Sequence, residues 1–447
     1  MKHAYIIIIS ILILHHSAFA QASKDSISAT PKKEKQIKGW SFGAVPAIAF
    51  DSDIGFKYGA IVNLFDYGDG SIYPDYRHNI YLEWSRTTKG SGINEINYDT
   101  KSLIPGIRLT SDFSYLQEQA LDFYGFNGYE ANYNHVYENN DKSNADYLSR
   151  MFYRIQRNQL RLTVDLQSMD AKKKLHWIAG YALFDNKISD VNIGDLNKDR
   201  AANDLLPAVS DTTSLYTQYK ELGIIPADQQ NGGTTQLIKL GLVYDTRDNE
   251  PNPMKGMWAE ALIQMAPSFI GNKYSFTQLC LTHRQYFTLI NKVMNFAYRV
   301  SYQGKLSGDI PFYMLPLLFS SNRPPRDGLG GAKTLRGILR NRVVGDGMVY
   351  GNFEVRWKFL RTIIWGQNVY LALTGFTDVG RVVQKYKFNM DKVSKDFIID
   401  QETFHVSYGS GLQIVLNANF IVNFSYALAR EAQDGSSGFY INLNYLF

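Results

Sequence analysis

Residues 328–359 read GLGGAKTLRGILRNRVVGDGMVYGNFEVRWKF, and at their centre stands Leu335-Arg336-Gly337-Ile338. Taken alone, such a tetrapeptide after a glycine cluster is a turn with a solvated arginine. The run C-terminal to it decides the fold. From Met348 onward the residues alternate, with Phe353, Val355, Trp357 and Phe359 on one side and Asn352, Glu354, Arg356 and Lys358 on the other, the period of two that a β-strand imposes. A second strand comes next: Val369, Leu371 and Leu373 share a face with Thr377, while Tyr370, Ala372, Thr374, Phe376 and Asp378 share the other. If the apolar faces are equivalent, Glu354 and Asp378 both project to the polar side of neighbouring strands, where a buried guanidinium can meet them.

A loop tetrapeptide of this form, a strand with Glu-x-Arg, and then Phe376-Thr377-Asp378-Val379-Gly380 together resemble the BamA/TamA superfamily of outer-membrane assembly and translocation barrels. Ile338 stands where that family usually has an aromatic residue. Two further stretches carry the resemblance. Tyr244-Asp245-Thr246-Arg247-Asp248, then Pro253 and Gly256, is similar to the family's Tyr-Asp-Thr-Arg-Asp strand end and Pro-x-x-Gly turn; Asp245 and Arg247 lie on one face, and a cross-lumen ion pair would satisfy both. The bland alternative for that stretch is a charged turn on any β-protein. Phe123-Tyr124-Gly125-Phe126-Asn127-Gly128 is similar to another stretch of the same barrels, although aromatic-glycine runs are common in turns.

The rest of the chain is consistent with a membrane barrel. Residues 1–20 carry Lys2, an apolar run from Ala4 to Leu14 and Ala18-Phe19-Ala20; the run is too short to span a bilayer and ends in a small-x-small site, so it reads as a cleaved secretory signal. Beyond it no window approaches about 18 uninterrupted apolar residues, which predicts no transmembrane helix. Yet the chain is 45% hydrophobic and 14% aromatic, with 30 Tyr and 26 Phe, at a mean hydropathy of only −0.25. That combination fits strands whose lipid-facing residues are diluted one for one by lumen-facing ones, with aromatic girdles at the interfaces; a large soluble exported β-protein is the competing reading of composition alone.

The lone Cys280 excludes an intrachain disulfide framework. The formal charge of +5, lowered by one when Lys2 leaves with the signal, is too small to imply nucleic acid.

Residues 21–39 are polar, Lys-rich and aperiodic and read as a flexible periplasmic lead-in. Barrels of the resembling family usually carry periplasmic POTRA domains, which this lead-in is too short to hold, so the resemblance covers the barrel alone, residues 40–447. Within it alternation and turn signals predict an all-β transmembrane antiparallel barrel of about sixteen strands. The turns near 289–291, 362–367 and 417–419 are short, and the opposite links near 119–149, 188–234, 305–347 and 381–403 are long, as expected for periplasmic turns and outside loops. The Leu-Arg-Gly-Ile stretch then belongs to the sixth external loop, which is expected to fold into the lumen. Phe439, Ile441, Leu443, Tyr445 and Phe447 alternate with Tyr440, Asn442, Asn444 and Leu446 and resemble the lipid-facing, aromatic-ended strand by which such barrels are recognised for insertion.

The expected loop-locking network is Arg336 and Gly337 with Glu354 and Asp378, supported by Tyr244, Asp245, Arg247 and Gly380. Enzymatic signals are poor. The mature histidines His78, His135, His176, His283 and His405 form no pair at metal-ligand spacing, with no nucleophile motif beside them. Asp195-Leu196-Asn197-Lys198-Asp199 begins like a calcium loop, but Arg200 and Leu206 stand where a glycine and a bidentate Glu belong. Gly328, Gly330 and Gly331 precede no helix and make no phosphate cradle. No catalytic residue, metal or cofactor is therefore expected.

The resemblance implies insertion or translocation of proteins at the outer membrane, with outer-membrane lipid, client outer-membrane or secreted proteins and a separate periplasmic partner as companions. The seam would lie between 40–50 and 438–447, with Gly43 and Gly409 to Gly411 as weak points. A plugged pore or surface receptor is the competing reading.

Overall fold

In a computed structural model, the described residues are 36–51, 55–73, 75–139, 141, 143–170, 173–207, 214–321, 324–364, 367–388, 401–416 and 420–447. The predicted signal peptide, most of the lead-in, and the turns at 365–366 and 417–419 lie outside them.

The strands in order are β1 (Trp40–Pro46), β2 (Ala49–Asp51), β3 (Gly55–Asp66), β4 (His78–Thr87), β5 (Gly92–Ile104), β6 (Ile107–Asp122), β7 (Arg154–Ser168), β8 (Leu175–Ser189), β9 (Gly232–Asp245), β10 (Gly256–Ala266), β11 (Phe276–Ile290), β12 (Met294–Gly308), β13 (Leu317–Leu318), β14 (Arg326–Asp327), β15 (Gly347–Ile364), β16 (Gln367–Gln384), β17 (His405–Leu416), β18 (Phe420–Ala429) and β19 (Ser437–Leu443). β1 and β2 pair with successive parts of β3 and act as one interrupted strand. Among the described residues β13 and β14 pair only with each other, inside the long link 309–346. Among the described residues sixteen strands therefore make the wall, each antiparallel to its neighbours in sequence. The number and the alternation of long and short links are those read from the sequence.

The wall is inverted relative to a soluble sandwich. Along β7 every second residue is buried, and that row is Ile155, Arg157, Gln159, Arg161, Thr163, Asp165 and Gln167. Its charges are paired inside: Arg161 Nε meets Asp112 Oδ1 at 2.5 Å, and Lys239 Nζ meets Asp165 Oδ2 at 2.7 Å. The outward row is apolar, with Trp40, Phe42, Trp84, Trp177, Phe287, Trp357, Phe359 and Phe439 among its exposed members. Polar residues inside and aromatics outside is the pattern a bilayer selects, because lipid cannot solvate the polar row. No described helix is long and apolar enough to cross a membrane.

The two ends of the sheet come together without a ladder between them. Among the described residues β19 pairs only with β18, and β1 only with β3. Contact is nevertheless close: a Cβ built on Gly43 of β1 would run into the ring of Phe420 in β18. This contact joins β1 to β18; the expected boundary between residues 40–50 and 438–447 is met only in that β1 and β19 have no ladder with each other among the described residues.

The last strand is shorter than expected. β19 stops at Leu443, and Asn444 takes φ +67°, a left-handed conformation that Asn tolerates better than most residues. The turn sends Tyr445, Leu446 and Phe447 into the lumen, where all three are buried. Of the expected lipid-facing row, Phe439 and Ile441 are more than 60% exposed, and Leu443 is intermediate. Tyr445 and Phe447 face the opposite way, a correction whose cause is the backbone reversal at Asn444.

The outside loops close the barrel mouth with an aromatic core. Phe123, Phe126, Tyr216, Tyr219, Phe312 and Tyr313 belong to one buried cluster, and the edge-to-face contacts of Phe123 with Phe126, Tyr216 and Tyr219 are the arrangement ring quadrupoles favour.

Candidate functional site: the loop lock and the seam

The link 309–346 turns back into the lumen and places its tetrapeptide against β15, β16 and β18. Thr334 Oγ1 organises the turn by accepting from Gly330 N–H at 2.9 Å and donating to Gly328 O and Gly330 O. Leu335 and Ile338 are buried with Leu318, Leu329, Val343, Met348 and Val382. This small cluster explains Ile338: the site needs a compact apolar plug there, and an aliphatic side chain supplies it. Gly380 has a packing role, since a Cβ on it would fall 2.8 Å from Leu335 Cδ1. Gly380→Val is expected to unseat Leu335 by overpacking and cost about 1–3 kcal/mol, read as a lower thermal unfolding midpoint in detergent.

Arg336 is 2% exposed and uses its whole planar fork. Nε donates to Asp378 Oδ2 and Nη2 to Asp378 Oδ1, both at 2.8 Å, and the Arg336 backbone N–H reaches Oδ2 at 3.0 Å. Nη1 donates to Glu354 Oε1 at 2.8 Å. The guanidinium lies 3.4 Å from the centroid of the Phe376 ring, a cation–π contact strengthened by the absence of water. Asn352 Nδ2 bridges Asp378 Oδ1 and Thr334 O. Planar bidentate pairing is what arginine does and lysine cannot. Arg336, Gly337, Glu354, Asp378 and Gly380 are thus brought together.

Gly337 is required for a different reason. Its φ is +87°, and a Cβ would lie 3.0–3.1 Å from backbone atoms of Ala427 and Leu428. Its N–H donates to Tyr440 Oη at 2.9 Å, which ties the loop directly to β19 at the seam. Gly337→Ala is expected to cost about 1–3 kcal/mol through strain and to loosen β19, seen as faster amide exchange at residues 437–443.

The second arm of the lock was not legible in the sequence. Arg356 is fully buried and donates Nε to Glu354 Oε2 at 2.8 Å, so Glu354 is shared between Arg336 and Arg356. Arg356 Nη2 also reaches Phe447 O at 3.3 Å, and its guanidinium stacks on Tyr445 at 4.2 Å and Phe447 at 5.0 Å. The in-turned tail and the loop are therefore joined through Glu354. The Glu-x-Arg spacing put Arg356 on the lumen side; its partner depends on the reversal at Asn444.

Among the described residues Asp245 and Arg247 take no part in the ion pairs of the lock. Asp245 and Arg247 pair with each other, Nε to Oδ1 at 3.0 Å and Nη2 to Oδ2 at 2.9 Å, so the expected cross-lumen pair is replaced by a local one, with Arg247 stacked on Trp258 at 4.4 Å. The residue that reaches away is Glu250, in the turn 246–255: it accepts from Arg108 Nη1 at 2.8 Å and pairs with Lys101 Nζ at 3.1 Å. Loss of surrounding water opposes its charge, but Arg108, Lys101 and Arg247 outweigh that and hold its carboxyl well below the usual range. A depressed acid stabilises above its unfolded pKa, about 4.3, and that contribution is lost as pH falls through the lower folded value. The turn is therefore expected to stay docked from pH 7 to 5 and to be released only in stronger acid, whereas Glu250→Gln releases it at pH 7, as read by limited proteolysis at residues 246–255.

The external faces of the loops are joined by a third buried group. His405 Nδ1 lies 2.5 Å from Asp434 Oδ1, and its Nε2 lies 3.3 Å from Glu402 Oε2. Tyr129 stacks on its ring at 3.9 Å and donates to Asp434 Oδ2 at 2.6 Å. Arg342 donates to Gly128 O and Gln433 O. Four outside links meet here. Its members are scattered singly along the chain, so no local motif signals it. Among the described residues no His, Cys, Asp and Glu group has the arrangement of a metal site.

The fold and the lock together define a transmembrane β-barrel with an in-folded, arginine-anchored sixth external loop. A family model described as the Omp85 superfamily domain matches residues 107–447, and the chain belongs to that superfamily of outer-membrane barrels. Among solved structures it is similar to BamA from Haemophilus ducreyi, in a crystal structure lacking POTRA domains 1–3, at 16% identity and a TM-score of 0.50, covering 91% of this chain and 70% of that one. It is also similar to CdiB from Escherichia coli, at 9% identity and a TM-score of 0.49, covering 93% of this chain and 63% of that one. No protein of curated function matches the sequence.

Proposed function

We propose that this barrel inserts proteins into, or translocates them across, the bacterial outer membrane, by opening its seam so that the free edges of β1 and β19 can pair with a client strand. The observation that carries the reading is the absence of a β1–β19 ladder among the described residues. Unpaired edge strands are costly to leave exposed and are natural templates for strand addition. The lock holds one of those edges through Gly337 and Tyr440. The aromatic core over the outside mouth counts against an open pore; a surface receptor built on the same loops is the competing function. Client proteins and a separate periplasmic protein are the partners this reading calls for, and surrounding lipid its medium. A cleaved signal at residues 1–20 would export the chain. Phe439 and Ile441, the outward part of the last strand, would serve its own insertion.

The test is a seam staple. A Cβ on Gly43 would lie 3.0 Å from Phe420 Cγ, so the pair Gly43→Cys and Phe420→Cys falls within reach of disulfide geometry. Oxidation of that double variant is expected to abolish function, with reduction restoring it, as measured by quantitative outer-membrane proteomics in cells that depend on it. Broad loss of other barrels on oxidation would indicate general assembly, and loss of one surface protein a dedicated exporter. An unchanged proteome under the staple, and also under depletion, would reject the reading in favour of the receptor.

A further inference from the structure

The buried imidazole of the outside cap is a titratable group that neither the lock nor the seam uses. His405 is wholly buried at the outer end of β17, enclosed by outside links. Asp434 of the link 430–436 meets its Nδ1, and Glu402 of the link 385–404 meets its Nε2. Tyr129 of the loop 123–153 covers the ring, and Arg342 of the sixth external loop lies 4.0 Å from Asp434. Arg381 of β16 meets Glu402 through the main-chain oxygen, at 3.3 Å. The nearby Glu130 and Glu431 are paired elsewhere, with Lys385 and Arg430.

The acceptors fix the protonation of the ring. Asp434 Oδ2 takes the Tyr129 hydroxyl at 2.6 Å, Glu402 Oε2 the Tyr129 N–H at 2.9 Å, and Glu402 Oε1 the Val382 N–H at 2.7 Å. Oxygens that accept in this way belong to carboxylates, which have no proton to offer. Both ring nitrogens therefore have to donate, and a neutral imidazole carries a single N–H. The charge count agrees: His405 and Arg342 as cations balance Asp434 and Glu402 as anions. Burial opposes the charged ring, but the hydrogen bonds from it to Asp434 and Glu402 outweigh that and hold its pKa above the ordinary 6.5. Loss of one proton reverses the contact. A bare ring nitrogen then faces a carboxylate oxygen, lone pair against lone pair, and the cluster keeps one negative charge in excess. Burying such groups without a donor costs free energy that separation and hydration recover.

We propose that His405 is a proton-operated latch of the outside cap: the doubly protonated ring holds Tyr129, Glu402 and Asp434 together, and with them three outside links, and release of one proton to an alkaline outside medium lets them part. The contribution is complete below the unfolded histidine pKa, about 6.5, and is lost as pH rises through the higher folded value. Between the two the opening constant grows about tenfold per pH unit. The latch is independent of the seam reading.

The full chain in detergent is spin-labelled through Ala145→Cys and Ala432→Cys, two exposed positions on different links; Cys280 is buried. Pulsed EPR on samples frozen at steps of rising pH is expected to show one distance near neutrality and a second, longer one that grows in alkali and vanishes on return to neutral pH. Nitrogen-15 NMR of the His405 ring, assigned by its absence in His405→Gln, should show both nitrogens protonated at neutral pH and one proton lost over the interval in which the second distance appears. His405→Gln combined with Asp434→Asn has no proton to release in this range and should keep a single distance throughout. A ring with one proton at neutral pH, an unchanged distance in alkali, or the same pH response in the double variant overturns the proposal.

Discussion

Arg336→Ala is expected to lower stability by about 3–5 kcal/mol, the range for removing one partner of a buried charge pair. The loss leaves both acceptors behind: Asp378, fully buried, loses three hydrogen bonds from Arg336, and Glu354 loses one. The unfolding midpoint in detergent should fall, and protease should cut within residues 309–346 of the variant and not of the wild type. Arg336→Lys should rescue little, since an ammonium cannot bond both Asp378 oxygens in plane while also reaching Glu354. The two carboxylates are not equivalent. Asp378→Ala should approach the arginine variant, because Asn352 and the Arg336 backbone also lose their acceptor. Glu354→Ala should in addition free Arg356, and with it Tyr445 and Phe447. Wild-type stability and protease resistance in all three would remove the lock from the account.

Asp434→Ala should produce the second large effect, about 3 kcal/mol or more by the same argument, and it should be confined to the outside. Asp434 is completely buried, accepts from Tyr129 and meets His405. Its loss leaves the imidazole with Glu402 and removes a charge 4.0 Å from Arg342. Proteolysis should move to residues 123–153 and 430–436, while the tetrapeptide stays protected. His405→Gln combined with Asp434→Asn, a neutral pair of similar volume, should recover much of the loss, because what costs most is charge left without a partner. If Asp434→Ala also exposes residues 309–346, cap and lock unfold as one unit.

Strand periodicity made the wall legible residue by residue. Asn352, Glu354, Arg356 and Lys358 are buried and Val355, Trp357 and Phe359 exposed, as alternation requires, because successive side chains of a strand must point to opposite faces. The same rule put Glu354 and Asp378 on the lumen side, and the tetrapeptide named the arginine that meets them. Alternation put Tyr445 and Phe447 on the wrong side, because one left-handed residue, Asn444, ends the strand and a periodic pattern carries no information about where a backbone reverses.

Contacts between residues far apart in the chain were left to tertiary structure. Glu250 to Arg108, Gly337 to Tyr440, Arg356 to Phe447 and the meeting of His405 with Asp434 and Tyr129 each depend on which loops fold inward and how far. The sequence by itself determined a sixteen-strand wall, its inside and outside, and the charged triad of the lock, since these arise from local geometry with a period of two. Only the tertiary structure decided how the seam closes, where the tail goes and which buried charges meet, since those depend on long-range packing inside a lumen that no local pattern describes.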